Sequence, residues 1–246
     1  MNQLYKSVCL NYQSYNRPHK YLWQNKNSIC IHNKEGVTCF ITPHEKTDTL
    51  YVVFKGTTTF NELRTSLSAS LELRGHPIMH RGYLNKYLSV HNKINHIIKK
   101  QPRMKDIVFT GHSYGGGLSV AASMMTRLFS DTDQNIKCIT FASPKCVNAE
   151  YLDLFEHDIP HLSIENVLDP IPYISFHPDL KALPNKLLLD SRQSTDIFLL
   201  DLFGHHSTIC YKSLVQDIQC NEQSRGDLNI KSCLLLDADS QTEISC

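Results

Sequence analysis

The chain has 246 residues, of which 41% are hydrophobic and 20% charged, a composition typical of a globular protein with one large core. Lys and Arg total 25 against 24 Asp and Glu, so net charge gives no indication of binding to nucleic acid or to an acidic membrane surface. The nine cysteines form an odd set without a Cys-x-x-Cys pair, and polar residues interrupt the first fifteen positions, unlike a signal peptide. We therefore expect reduced thiols, a cytoplasmic location and no transmembrane segment.

Strands and helices are predicted to alternate along the chain. Ser28–Ile31 and Val37–Ile41 are rich in β-branched residues and enclose turn residues, which indicates a hairpin. Apolar residues at helical spacing fill residues 84–98 and 118–128. Four further segments are predicted to be strands, three of them strongly apolar and the last weaker: Thr49–Phe54, Asp106–Thr110, Ile136–Phe141 and His161–Glu165.

This order predicts an α/β fold with a mostly parallel central sheet and helices on both faces. We expect residues 1–219 to form a single domain of this kind. Residues 220–246 are mostly polar and are predicted to be a C-terminal tail, to which the pattern assigns no structure.

The motif Gly111-His112-Ser113-Tyr114-Gly115 lies between a predicted strand and a predicted helix. In a nucleophile elbow the chain turns so sharply that side chains at the flanking positions would collide, and glycine avoids this. The turn would place Ser113 at the N-terminus of the helix, where backbone N–H groups favour the negative charge that develops in acyl transfer. We interpret Ser113 as a catalytic nucleophile and His112 as a filler of the motif rather than a base.

Five motifs, taken together, resemble the class 3 lipases, the fungal-lipase-like family of α/β-hydrolases. They are Val53-Phe-Lys-Gly-Thr-Thr-Thr59, His80-Arg-Gly-Tyr83, Thr110-Gly-His-Ser-Tyr-Gly-Gly116, Phe141-Ala-Ser-Pro-Lys145 and Asn166-Val-Leu-Asp-Pro-Ile-Pro172. The resemblance implies the α/β-hydrolase fold and an oxyanion hole made by the backbone N–H groups of Thr57 and Tyr114. Lys55 stands where the family usually has arginine, and His80 is expected to be a structural hydrogen-bonding residue near the site.

A serine nucleophile needs a neutral imidazole to take its proton and a carboxylate to orient that imidazole. Chain order in this fold is Ser, then Asp or Glu, then His. The resemblance points to Asp169, in the loop stiffened by Pro170 and Pro172, as the acid. By chain order alone the rivals are Asp179, Asp190, Asp196 and Asp201.

Three histidines follow Asp169 and could supply the base: His177, His205 and His206. The family's histidine precedes an aromatic residue, and alignment on Tyr211 favours His206, although a slip of one position would select His205. Segment 195–203 is expected to be extended. Neighbouring side chains at the end of a strand point to opposite sides, so only one of the two adjacent histidines could face the serine.

An apolar stripe of Phe60, Leu63 and Leu67 recurs at helical spacing after the oxyanion strand. It predicts either a lid over the acyl pocket or a helix packed on the core. His157 and His161 have the spacing of a metal pair on a helix, but Pro160 between them disfavours that helix. We expect no metal and no cofactor.

The leading interpretation is a serine hydrolase that cleaves lipid esters such as acylglycerols, with transient contact at a lipid interface. Two alternatives remain open: a carboxylesterase for small soluble esters, and an inactive hydrolase fold that serves as a binding module.

Overall fold

The computed structural model describes residues 3–16, 27–56, 79–174, 178–193 and 202–225. Several residues singled out by the sequence lie outside these ranges. They are the predicted oxyanion donor Thr57, the possible lid residues Phe60, Leu63 and Leu67, the rival residues His177, Asp196 and Asp201, and the C-terminal tail from residue 226.

Among the described residues, seven strands form one mixed sheet, with the order β1-β2-β3-β4-β5-β7-β9. The first two pairings are antiparallel, and all pairings from β3 to β9 are parallel. The strands β6 and β8 pair separately. The strands are β1 Ile29–His32, β2 Thr38–His44, β3 Thr49–Phe54, β4 Asp106–His112, β5 Asn135–Phe141, β6 Val147–Asn148, β7 His161–Asn166, β8 Leu180–Lys181 and β9 Lys186–Leu189.

Helices cover both faces of this sheet, which confirms the predicted α/β-hydrolase architecture. The α-helices are α1 Gln3–Asn16, α2 Arg81–Lys99, α3 Tyr114–Phe129, α4 Leu202–His205 and α5 Thr208–Arg225. Short 3₁₀ or π turns occupy Glu45–Thr47, Ala149–Tyr151, Leu154–Asp158, Ile171–Tyr173 and Ser191–Gln193. None of the helices in these ranges combines the length and the apolar character needed to cross a bilayer.

The core is divided by the sheet into two layers. Alternate strand residues such as Val52 and Phe109 pack with α2 and α3 on one face. Their neighbours Val53 and Val108 pack with α1 and α5 on the other face. This alternation is what a strand buried on both faces requires, and it explains why both faces of the central strands are mostly apolar.

Helix α1 is absent from the sequence prediction, because polar residues occupy its buried face. Ser7, Asn11 and Ser14 are all buried. The Asn11 side chain donates to the Ser7 carbonyl and to Thr110 Oγ1 on β4, both at 2.9 Å. Hydrogen bonds of this kind offset the cost of burying polar groups, so the helix packs on the sheet without a clean apolar stripe.

Two predictions concern the C-terminal part of the described chain. The expected extended segment 195–203 lies mostly outside the described residues, but Leu202 already begins the short helix α4. The boundary expected after residue 219 falls inside α5, which continues to Arg225. The reason is that α5 packs on the sheet through its first turns, including Tyr211 and Val215, so the polar residues that follow still belong to the helix.

Candidate active site

The turn from β4 to α3 holds Ser113 in a strained backbone conformation. Ser113 has φ +57° and ψ −123°, outside the regions that residues with a side chain usually adopt. Its backbone N–H donates to the carbonyl of Phe141 on the neighbouring strand at 2.9 Å. The next residue, Tyr114, opens α3, and the N–H of Gly116 donates to the Ser113 carbonyl at 2.8 Å. An N–H at the first position of a helix has no carbonyl partner within the helix. The local geometry is that of the predicted elbow.

Two glycines of the motif are required by close backbone packing. A Cβ atom at Gly111 would overlap the backbone of Gly115 one turn later. A Cβ atom at Gly115 would overlap the carbonyl of Phe54, at the end of β3, and would lie 3.0 Å from the N atom of Gly56. The elbow and the predicted oxyanion strand therefore approach each other through bare backbone. The sequence argument expected the glycines to relieve crowding within the elbow.

Asp169 and His206 form a hydrogen-bonded pair near this turn. His206 Nδ1 lies 2.8 Å from Asp169 Oδ2, and the Asp169 side chain is fully buried while 17% of the His206 side chain is exposed. A carboxylate can only accept, so the pair holds the proton on Nδ1 and leaves the Nε2 lone pair available. The pairing of these two residues agrees with the sequence prediction.

Further hydrogen bonds fix the Asp169 carboxylate. Its Oδ1 accepts from the N–H of Ile171, and its Oδ2 also accepts from the Tyr211 hydroxyl at 2.8 Å. The Tyr211 oxygen in turn accepts from the N–H of Asn166 at 2.9 Å. Burial, and then the nearby Asp169, raise the pKa of Tyr211 well above its usual value, so its hydroxyl stays protonated as a donor. The sequence argument used Tyr211 only to align the histidine and missed this contact.

His205 has a different partner from His206. Its Nδ1 lies 2.9 Å from Ser191 Oγ, and its carbonyl accepts from the Asn166 side chain at 3.2 Å. The separation of the two histidines was expected, but its cause is a helical one. His205 ends helix α4 and His206 lies in the turn that follows, so the two side chains leave the end of a helix and not the end of a strand.

His112 connects the elbow to the segment that carries His206. The two imidazole centroids are 4.7 Å apart, and His112 Nε2 lies 2.6 Å from the His206 carbonyl oxygen. Burial, and then the proximity of His206, lower the pKa of His112 well below its usual value. Interpreting His112 as a filler was therefore incomplete: it is a buried packing and hydrogen-bonding residue. In the described part of the chain, the hydrogen bonds found for His206 join its Nδ1 to Asp169 and its carbonyl to His112.

The remaining predicted residues lie around this centre. His80 caps α2, and its Nδ1 accepts from the Gly82 N–H at 3.2 Å, in keeping with a structural role. Of the rival acids that are described, Asp190 pairs with Arg192 at 2.6 Å. In the described parts of the chain, no three His, Cys, Asp or Glu side chains are grouped so that they could hold a metal ion.

Solved structures similar to this chain are fungal lipases. A triacylglycerol lipase from Penicillium expansum superimposes with a TM-score of 0.65 at 17% identity, over 76% of this chain and 79% of that one. The Rhizomucor miehei lipase propeptide complex gives a TM-score of 0.59 at 18% identity, over 76% and 68%. The Lip2 lipase of Yarrowia lipolytica gives 0.60 at 16% identity, over 77% and 80%. At these identities the likeness establishes the fold.

The family comparison establishes more than the fold. None of the curated proteins matches the chain by sequence. Residues 51–178, however, match the family described as lipase (class 3), and this range contains both the elbow and the Asp169 loop. The range covers more than half of the sequence and contains all five motifs on which the resemblance was based, while His205 and His206 lie beyond it. The chain belongs to the class 3 lipases, a family of carboxylic ester hydrolases with the α/β-hydrolase fold.

Proposed function

We propose that this protein hydrolyses lipid esters, such as acylglycerols, through a triad of Ser113, Asp169 and His206. The observation that carries the proposal is the Asp169–His206 pair beside an elbow that holds Ser113 at φ +57°. The similar solved structures include triacylglycerol lipases, which supports an acylglycerol as the substrate class.

In the proposed reaction the Ser113 hydroxyl attacks the ester carbonyl while His206 Nε2 takes its proton. Asp169 stabilises the imidazolium that results. The oxyanion that forms accepts hydrogen bonds from the backbone N–H of Tyr114 and, as predicted from the sequence, of Thr57. His206 then returns the proton to the leaving alcohol, and an acyl group remains on Ser113. A water molecule, activated by His206 in the same way, releases the acid and restores the serine.

The first experiment tests the nucleophile with a fluorophosphonate probe and a p-nitrophenyl ester. Ser113→Ala should abolish labelling and lower the rate by about 10⁵- to 10⁶-fold, because the hydroxyl forms the covalent intermediate. The matched control is Ser119→Ala on the same helix, which removes a buried hydroxyl bonded only to the Gly115 carbonyl at 2.8 Å. The control should keep its labelling. Labelling that persists in Ser113→Ala would reject the assignment.

The second experiment tests the substrate class. A series of p-nitrophenyl esters from acetate to palmitate is compared with an emulsified triacylglycerol. A lipid-ester hydrolase should prefer the longer acyl chains and release fatty acid from the emulsion. Activity confined to acetate and butyrate would indicate a small-ester carboxylesterase instead, and wild-type protein that neither labels nor hydrolyses any ester would indicate a binding module.

A further inference from the structure

The hydroxyl of Tyr15, in the last turn of α1, lies where the elbow meets the end of β3. It is 3.1 Å from His112 Nδ1, and the two rings stand edge to face with their centroids 5.6 Å apart. The same hydroxyl lies against the backbone of Gly56, where an added Cβ atom would overlap it. One side chain of an N-terminal helix thus contacts two of the elements that build the site.

The donor and acceptor of each hydrogen bond through His112 follow from its neighbours. His112 Nε2 lies 2.6 Å from the carbonyl oxygen of His206, and a carbonyl can only accept, so Nε2 carries the proton. Burial keeps the pKa of His112 low and the ring neutral, which leaves a lone pair on Nδ1. The Tyr15 hydroxyl therefore donates to Nδ1. The alternative acceptor, the His112 carbonyl, is more distant at 3.5 Å.

We propose that Tyr15 is a positioning residue for His206: its hydroxyl fixes the tautomer of His112, whose Nε2–H then holds the backbone of His206 in place. This inference rests on the function proposed above, in which His206 is the base. Tyr15 acts through His112 and does not itself contact the reacting atoms.

Loss of the Tyr15 hydroxyl weakens the preference for the Nε2–H tautomer of His112, because the His206 carbonyl alone then favours it. Nδ1 would then lack a donor, and the tautomer with the proton on Nδ1 would turn the Nε2 lone pair towards the His206 carbonyl. Two acceptors would then face each other, and the hydrogen bond from His112 to the His206 carbonyl would be lost. A base that is held less firmly slows the chemical step, and substrate binding should change little because Tyr15 and His112 act on the position of His206.

Steady-state kinetics of Tyr15→Phe test the effect on catalysis. We expect kcat to fall about tenfold and KM to change less than twofold, the loss that one hydrogen bond produces. The control is Tyr12→Phe on the same helix, whose ring lies 4.4 Å from Lys212 Nζ and would keep that contact. The control should retain wild-type kcat. An unchanged kcat for Tyr15→Phe, or a rise in KM alone, would overturn the proposal.

Two further measurements separate positioning from a general structural effect. Long-range ¹H–¹⁵N spectra of the imidazole rings should show the Nε2–H tautomer of His112 in the wild-type protein and a mixture in Tyr15→Phe; the opposite wild-type tautomer would contradict the inference. In a double-mutant cycle, Tyr15→Phe should lower kcat less than twofold once His112→Phe is present. A full tenfold loss there would show that Tyr15 acts by another route.

The two proposals fail in different ways. A wild-type protein without esterase activity would reject the proposed function, and the tautomer spectra would still test the chain of hydrogen bonds. An active wild-type protein with an unaltered tautomer in Tyr15→Phe would reject the role of Tyr15 alone.

Discussion

The elbow around Ser113 and the corner that holds Asp169 and His206 are built in different ways. The elbow depends on close backbone packing, since Gly111 and Gly115 lie where a Cβ atom would overlap neighbouring main chain. The corner depends on side-chain hydrogen bonds, chiefly those that Asp169 accepts from His206 and Tyr211. A short local motif can specify the first kind of site. The second needs residues from several distant segments.

The largest difference in activity should appear between alanine variants of the two adjacent histidines of the corner. His206→Ala removes the proposed base and should lower kcat/KM by about 10⁵-fold or more, as for other catalytic triads. His205→Ala removes only the contact with Ser191 and should keep at least about a tenth of wild-type activity. Steady-state kinetics on one ester, with thermal unfolding as a check on folding, measure both. A reversed pair of activities would assign the base to His205.

An added methyl group should lower the free energy of unfolding more in the elbow than in an open turn. Gly115→Ala sets its new Cβ against the main chain of Phe54 and Gly56, neither of which can rotate away, and we expect a loss of more than about 4 kcal/mol in the free energy of unfolding. The control is Gly36→Ala, which has φ +79° but open space, and should cost about 1 kcal/mol. Denaturant unfolding measures both, and equal losses would contradict the steric account.

A smaller effect is expected where one hydrogen bond of the corner is removed. Tyr211→Phe leaves Asp169 Oδ2 with one donor fewer and the Asn166 N–H without its acceptor. Because a hydrogen bond to a charged group is worth about 1.5–3 kcal/mol, kcat/KM should fall about ten- to a hundredfold. The exposed Tyr173 supplies the control, and Tyr173→Phe should behave as wild type. If Tyr211→Phe also keeps wild-type kcat/KM, the hydroxyl has no part in holding the acid.

Much of the fold could be predicted from the sequence because its strands are buried on both faces. The predicted strands at Thr49–Phe54 and Ile136–Phe141 agree with the structure to within a residue. Helix α1 could not be predicted in this way, since the buried Asn11 side-chain NH2 donates to Thr110, a residue about a hundred positions away. No local pattern carries that information.

Part of the candidate site could likewise be predicted from the sequence, and part of it could not. The elbow was identified from five consecutive residues, and the pairing of Asp169 with His206 was reached through chain order and family resemblance. The contacts of Tyr211 and His112 were missed, because a buried tyrosine or histidine is more often simply a core residue and nothing in the sequence distinguishes the two cases. The roles of Thr57 and of Phe60, Leu63 and Leu67 stay predictions.

The pairing of α1 with α5 affects how this protein folds. The two helices come from opposite ends of the described chain and cover the same face of the sheet, where Lys212 lies over the ring of Tyr12. Contacts between such distant segments carry a large entropy of loop closure and form slowly. During synthesis α1 emerges long before α5, so part of this face stays uncovered until α5 is made. A nascent chain that already contains the whole elbow therefore still lacks His206, the proposed base, and the site is completed only when α5 packs beside α1.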